Sequence, residues 1–386
     1  MEAPLGGIWP FYSAACRRDV DSLLKKGGSL SAYIARKEVG IEPRKDSWAW
    51  RLEREIEKRF KVRYAVAVNS GTAALHCALA ALDLQGGEVI TSPCTFSATA
   101  AAILLAGGTP RFADVDPYHS RITASTVKRL VGKRTRAILP VSLFGGATPH
   151  QEFSQYGLPV IDDSCQSVGA CIGGAYSGTR ATAAAYSFQG GKQVPAGEAG
   201  ALVTNHSWVA KKARLLGFHG ENFGGPIGYN YRPNEVTCCI AYHGLLELEE
   251  RNKKRERLAA ELNRSIGSFL ERDEPFFHFL TTWKRWVNRP ASHMDGSHVF
   301  YTFPFTVHNI KRSLFIKRMK QRRIAVQAGY TPPLHMLKAF RKYQTVPLPV
   351  AEELYYETQC LLNCVRPPAT EADMRFVANA IRESLS

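Results

Sequence analysis

Long apolar runs are missing from this chain: the longest, Ser97 to Gly108, is alanine-rich and too short to cross a bilayer. The first residues lack the basic-then-apolar pattern that directs secretion, so a cytoplasmic protein without membrane contact is expected. Cysteines spaced for redox or zinc chemistry are missing too, because none of the nine forms a Cys-x-x-Cys. Cys238 and Cys239 are adjacent and Cys360 and Cys364 stand one helical turn apart; the thiols are expected to be reduced packing residues, with no metal site. Acidic residues are scarce beside basic ones, 34 against 50, leaving a formal charge of +16. Such an excess attracts polyanions and raises nucleic acid as a partner. No zinc-finger spacing or aromatic-studded basic strand supports that partner, and none is expected. The densest basic runs, Arg251 to Arg257 and Lys311 to Arg323, follow or overlap leucine-bearing helical patterns and read as solvated helix faces. A phosphorylated small substrate suits the charge equally well.

What is present is an ordinary globular composition, 45% hydrophobic and 22% charged over 386 residues, long enough for two lobes around a shared interface. From about residue 63 to 205, short β-branched runs alternate with alanine-rich helical stretches, the pattern of a largely parallel sheet covered by helices. Strands are expected near Arg63–Asn69, Glu88–Ser92, Pro110–Asp114, Ala137–Val141, Pro159–Asp162, Ala184–Phe188 and Ala201–Thr204, giving an α/β domain of about seven strands. A long helical pattern runs from roughly Asn234 to Phe269. After it comes a less regular region with Pro290, Pro304, Pro332, Pro333, Pro347 and Pro349, and then a helical pattern over Thr370 to Leu385. The expected division is a large domain over 1–245 and a smaller C-terminal α/β domain over 246–386.

Ligands of open α/β sheets collect beyond the carboxyl ends of strands, and three strand ends here carry polar residues. Asn69-Ser70-Gly71-Thr72-Ala73-Ala74-Leu75 ends one strand and opens a helix, where small residues and hydroxyls suit an anion, although the same string serves as a simple N-cap. Ile161-Asp162-Asp163-Ser164-Cys165-Gln166-Ser167 puts two carboxylates at the end of an apolar strand. A buried carboxylate needs a partner, and a protonated pyridine nitrogen is one; an acidic helix cap is the plainer reading. Tyr186-Ser187-Phe188-Gln189-Gly190-Gly191-Lys192 places a lysine after paired glycines at a third strand end, where desolvation can make its amine nucleophilic, against the alternative of a solvated loop lysine.

Together and in this order, these strings resemble the sugar aminotransferases of the DegT/DnrJ/EryC1/StrS family. The resemblance extends through Gly197-Glu198-Ala199-Gly200, Phe218-His219-Gly220, Gly228-Tyr229-Asn230-Tyr231-Arg232 and the Tyr330-Thr331-Pro332-Pro333-Leu334-His335 stretch, nearly the whole chain. It implies the aspartate-aminotransferase-like fold (fold type I), with a central, mostly parallel seven-stranded sheet, and pyridoxal 5'-phosphate as cofactor. By position, Lys192 would carry the cofactor as a Schiff base and move the proton during catalysis, and Asp163 would face the pyridine nitrogen. Gln166 would sit near the phenolic oxygen, while Phe96 would stack on the ring. Ser70, Gly71, Thr72 and Ser187 would hold the phosphate. Asn230 would reach the phosphate of a neighbouring subunit, implying a homodimer with shared active sites. Tyr330 and His335 would contact substrate, with a structural role in the proline-rich loop as the alternative.

The implied reaction moves an amino group from glutamate or glutamine to a keto sugar, nucleotide-linked. The family often has His in the string that reads Pro140-Val141-Ser142-Leu143-Phe144-Gly145 here, and Leu-Ser-Leu-Pro where this chain has Leu361-Leu362-Asn363-Cys364. Gln189 resembles members acting on cyclitols or amino-shikimate-type rings, so a cyclitol acceptor of the scyllo-inosose type is the alternative. A sugar dehydratase is a further one, although in those relatives histidine replaces the lysine.

Overall fold

The computed structural model describes residues 9–31, 33–36, 40–267, 297–308 and 310–385. A strand lies at each of the seven expected places: β1 (Tyr64–Val68), β2 (Glu88–Thr91), β3 (Thr109–Phe112), β4 (Thr135–Leu139), β5 (Ile161–Asp163), β6 (Ala183–Ser187) and β7 (Gly200–Thr204). Their hydrogen-bond ladders form a four-stranded sheet, β1-β7-β6-β5, and a three-stranded one, β3-β2-β4. Two isolated parallel bridges, Ile138 to Val160 and Val141 to Asp163, join them. β7 runs antiparallel to β1 and β6, and the remaining pairs are parallel.

The strands are buried along nearly their whole length, which is why they read as continuous runs of alanine and β-branched residues rather than as alternations. Helix Gly71–Ala80 leaves β1 directly and helix Ser97–Leu105 follows β2. Both are rich in alanine, so their backbones lie close to the sheet and their N-termini open at its carboxyl edge. A buried ion pair fastens helix Trp48–Phe60 to this core: Glu53 accepts from Ala67 N on β1 at 3.0 Å and from Arg214 Nη2 at 2.7 Å.

The pattern expected as one helix from Asn234 to Phe269 is two, Glu235–Leu246 and Leu248–Gly267, with Asn234 capping the first; Phe269 and Pro290 lie outside the described residues. The break lets the two segments meet different partners. The first packs against helix Trp48–Phe60, and the second against the C-terminal helix Glu371–Leu385. Helix Leu248–Gly267, together with Arg312–Gln321 and Glu371–Leu385, covers a small antiparallel sheet of β8 (Phe303–Thr306), β9 (Gln327–Ala328) and β10 (Gln359–Leu362) in the order β8-β10-β9. Leu262, Phe305, Phe315, Met374 and Ile381 fill its core. The stretch between β9 and β10 turns back instead, placing Leu334, Phe340 and Leu348 against Ile90 and Phe112 of the larger sheets.

Two local expectations change. Cys360 lies on β10, so Cys360 and Cys364 do not share a helical turn, and all nine cysteines are free. The basic run after Arg251 is not wholly solvated either: Arg251 and Arg255 are 5% and 0% exposed, because Trp9 of the N-terminal segment lies within 5.3 and 5.2 Å of their guanidinium groups. Among the described residues no helix is long and apolar enough to cross a membrane.

Candidate active site

At the end of β5 the strand alternation sends two adjacent aspartates to opposite sides. Asp162 is enclosed by Ser142 Oγ at 3.0 Å and His150 Nε2 at 2.6 Å. Asp163 faces the helix layer, where Thr99 Oγ1 donates to Oδ2 at 2.7 Å and Cys165 N donates to Oδ1 at 3.2 Å. Burial pushes the Asp163 carboxyl above the usual range, and the Thr99 and Cys165 bonds and the Lys192 charge pull only part of the way back. A cation in front of this carboxylate would relieve the cost of its burial.

Lys192 follows β6 on a tight loop. Gln189 Oε1 accepts from Gly191 N at 2.8 Å, Gln189 O accepts from Lys192 N at 2.8 Å, and the wholly buried Gln193 donates from Nε2 to Gln166 O at 2.6 Å. The loop is thereby fixed on both sides of the lysine while the side chain stays half-buried. Its Nζ stands 4.2 Å from the ring centroid of Tyr301.

The third element is the N-terminus of helix Gly71–Ala80, whose first N–H groups have no partner within the helix. Ser70 caps it, Oγ accepting from Ala73 N at 3.1 Å. Two glycines allow a close approach here. A Cβ on Gly71 would stand 2.7 Å from Cys165 Sγ and 3.0 Å from Ser187 Cβ, and one on Gly200 would stand 2.6 Å from the carbonyl carbon of Ser70. Since Ser187 is paired with Gly200 across β6 and β7, its hydroxyl, the half-buried Thr72 and the free N–H groups gather in one concavity. Such a cradle takes an anion.

Around this set, Gln166 accepts from Phe144 N at 2.9 Å and donates from Nε2 to Tyr330 Oη at 3.0 Å. The Tyr330 phenol is pushed up by burial and by the nearby Tyr301, Asp163 and Cys165. Phe96, immediately before helix Ser97–Leu105, is 56% exposed and so is not a core residue. Asn230 is also exposed. Its carbonyl accepts from Asn69 Nδ2 at 3.3 Å, and its Oδ1 accepts from Arg232 Nε at 2.9 Å. The Phe218-His219-Gly220 and Gly228-to-Arg232 strings lie side by side through a bridge between Phe218 and Asn230.

Lys192, Asp163, Gln166 and Tyr330 are thus brought together beside the Ser70, Gly71, Thr72 and Ser187 cradle. His335 is not among them: it is buried with Nε2 3.0 Å from Glu352 Oε1. Thr99, Tyr301 and Gln193 belong to the site and were not expected from the sequence. Thr99 had a signal, since it lies one helical turn beyond Thr95 with the two hydroxyls 2.8 Å apart. Tyr301 had none, because it reaches Lys192 from a segment more than a hundred residues away.

Residues 47–382 match the DegT/DnrJ/EryC1/StrS aminotransferase family. A pleiotropic regulatory protein of Geobacillus stearothermophilus is 31% identical over 345 residues, covering 86% of this chain and 88% of its own length. GDP-perosamine synthase of Caulobacter vibrioides is 30% identical over 352 residues, covering 86% and 89%. In fold, the chain resembles the aminotransferase from Psychrobacter cryohalolentis with a TM-score of 0.84, at 22% identity and with 98% of each chain covered.

Proposed function

Because this chain belongs to the DegT/DnrJ/EryC1/StrS aminotransferase family and is a pyridoxal-phosphate-dependent aminotransferase, we propose that it aminates a nucleotide-linked keto sugar with glutamate or glutamine as donor. The observation that carries the site assignment is the convergence of one amine, one buried carboxylate and one anion cradle: Lys192, Asp163, and the Gly71 end of its helix with Ser187. That set fits the cofactor. The cradle is closed to any side chain at Gly71 or Gly200, and Asp163 is a buried acid facing a lysine. The relative named GDP-perosamine synthase supports a nucleotide-linked acceptor.

When bound, pyridoxal phosphate supplies an aldehyde that condenses with amines and a pyridinium ring that withdraws electrons from the carbon losing its proton. The chain's own residues do the rest. Asp163, with Oδ2 held by Thr99 and Oδ1 by Cys165 N, would keep the ring nitrogen protonated. Lys192 Nζ would carry the cofactor and would take and return the proton as general base and acid. Gln193 and the Gln189 turn hold the lysine backbone still while its side chain swings. Gln166, fixed between Phe144 N and Tyr330, would present its amide beside the ring oxygen, and the exposed Phe96 would cover a ring face. Tyr330 faces substrate. Asn230, exposed next to Asn69, would reach the phosphate of a second copy, which makes a homodimer the proposed working form. The division at residue 245 into a cofactor-binding and a smaller lobe, and a cytoplasmic location, complete the proposal.

Borohydride reduction of the purified yellow enzyme followed by peptide mapping tests it. The fixed label is expected on Lys192, and Lys192→Ala is expected to fold but not turn over. Label on another lysine, or undiminished turnover by the variant, would overturn the assignment. Screening keto-sugar nucleotides against inososes with the amino-loaded enzyme then identifies the acceptor class.

A further inference from the structure

Helix Leu248–Gly267 carries Arg255 into the interior with no exposed surface. Its Nη1 donates to Phe300 O at 2.9 Å, but Nε and Nη2 are buried without a hydrogen-bond partner. The residue after Phe300 is Tyr301, whose ring lies under Lys192 Nζ at 4.2 Å. The arginine is therefore anchored one residue from the tyrosine that touches the reacting lysine.

The charged groups that act on Arg255 are Arg366 and Arg251, both cationic, together with the Tyr301 phenol; burial first and then Arg366 lower its pKa to about 9. Burial also lowers that of Arg366, which feels the same Tyr301 phenol. Glu247 accounts for Arg251, through its Nη2. Among the described residues no carboxylate stands in that position for Arg255. The Trp9 ring, 5.2 Å away, stabilises a guanidinium through its face, but leaves the in-plane N–H donors unused. Two forked donors, buried and turned toward no acid among the described residues, match the geometry of a carboxylate or phosphate.

We propose that Arg255 and Arg366, grouped about Tyr301 beside Lys192, form a subsite for an oxyanion carried by one of the substrates. The chemistry is shared by two sources: a carboxylate of the amino donor and the phosphate of a nucleotide-linked acceptor. This inference rests on Lys192 being the cofactor lysine, and it assigns the small lobe a direct part in holding substrate.

The test uses the cofactor-loaded enzyme with two unreactive probes, glutarate and inorganic pyrophosphate, titrated calorimetrically against wild type, Arg255→Met and Arg366→Gln. At least one probe is expected to bind wild type and to weaken about tenfold or more in Arg255→Met, and in the same direction in Arg366→Gln. Loss confined to glutarate assigns the subsite to the donor, and loss confined to pyrophosphate assigns it to the acceptor; both support it. Arg255→Met should keep or raise the melting temperature, since an unpaired buried charge is removed. A lowered melting temperature with both probes bound within about twofold of wild type would mark a purely structural arginine and overturn the proposal. So would a wild type that binds neither probe. Should Arg255→Met fail to fold, the half-buried Arg366→Gln decides by the same criterion. A wild-type protein that takes up no cofactor on Lys192 would instead sink the site assignment, a result read from its colour before any probe is added.

Discussion

Thr99 Oγ1 donates a hydrogen bond to Asp163 Oδ2 at 2.7 Å, and both residues are buried. The bond stabilises the charged form of a carboxylate whose burial favours the neutral one. Thr99→Val therefore should raise the Asp163 pKa further and loosen its hold on a pyridinium nitrogen. Turnover is expected to fall about tenfold, with Thr99→Ser restoring most of it, whereas Asp163→Asn should cost roughly 10² to 10⁴. Single-turnover rates on the three variants check this. The same burial makes an opposite prediction for stability without cofactor: Asp163→Asn should be as stable as wild type at neutral pH or more so.

Glu256 supplies a pH dependence away from the chemistry. Burial raises its carboxyl to about 7, only partly opposed by Lys253. A raised acid is neutral in both states at low pH and is penalised in the fold once ionised, so its contribution to stability declines as pH rises toward 7. Glu256→Gln should remove that decline. Denaturation midpoints measured between about pH 5 and pH 8 are expected to fall for wild type relative to the variant, by on the order of 1 kcal/mol across the range. Parallel profiles would refute it.

Much of this was legible in the residue order, for a physical reason. Strands buried on both faces need short apolar runs ended by small or polar residues, and all seven such runs between Tyr64 and Thr204 are strands. Lys192 and Asp163, the residues proposed to hold the cofactor, follow strand ends, where local spacing predicts their placement. Contacts made by the remote ends of the chain were not legible. Helical periodicity marks Arg255 as part of a helix, but nothing in that helix announces that Trp9 will cover it or that Phe300 will accept its proton. His335 is similar: its motif suggests a substrate contact or a structural role in the loop, and only the structure pairs its Nε2 with Glu352, seventeen residues on.

The Glu53 and Arg214 pair ties three elements together and is nearly dry. Burial alone lowers the arginine's pKa, yet Glu53 outweighs it and holds the guanidinium charged. Removing one partner strands the other charge, and Arg214→Met should destabilise the protein by about 3–5 kcal/mol. The double replacement with Glu53→Gln should recover part of that loss, as chemical denaturation of the four proteins would show. A double replacement that loses as much as the two single replacements added together would mean the pair is not coupled.

The anion cradle makes the sharpest distinction between two glycines. A methyl group on Gly71 meets the Cys165 sulfur at 2.7 Å and the Ser187 Cβ at 3.0 Å, both side-chain atoms. A methyl group on Gly200 meets the carbonyl carbon of Ser70 and the amide nitrogen of Gly71 at 2.6 and 2.7 Å, the very peptide that opens the helix. Side chains can be trimmed and backbone cannot. Gly71→Ala should weaken pyridoxal phosphate binding by about tenfold or more, and adding Cys165→Ala should restore part of it. Gly200→Ala should weaken binding at least as much, with no rescue from Cys165→Ala, because the obstruction shifts the N–H groups that open the helix. Cofactor affinities from absorbance titration of the four variants separate the cases. Rescue of Gly200→Ala by the cysteine change would show that the cradle is set by side chains after all.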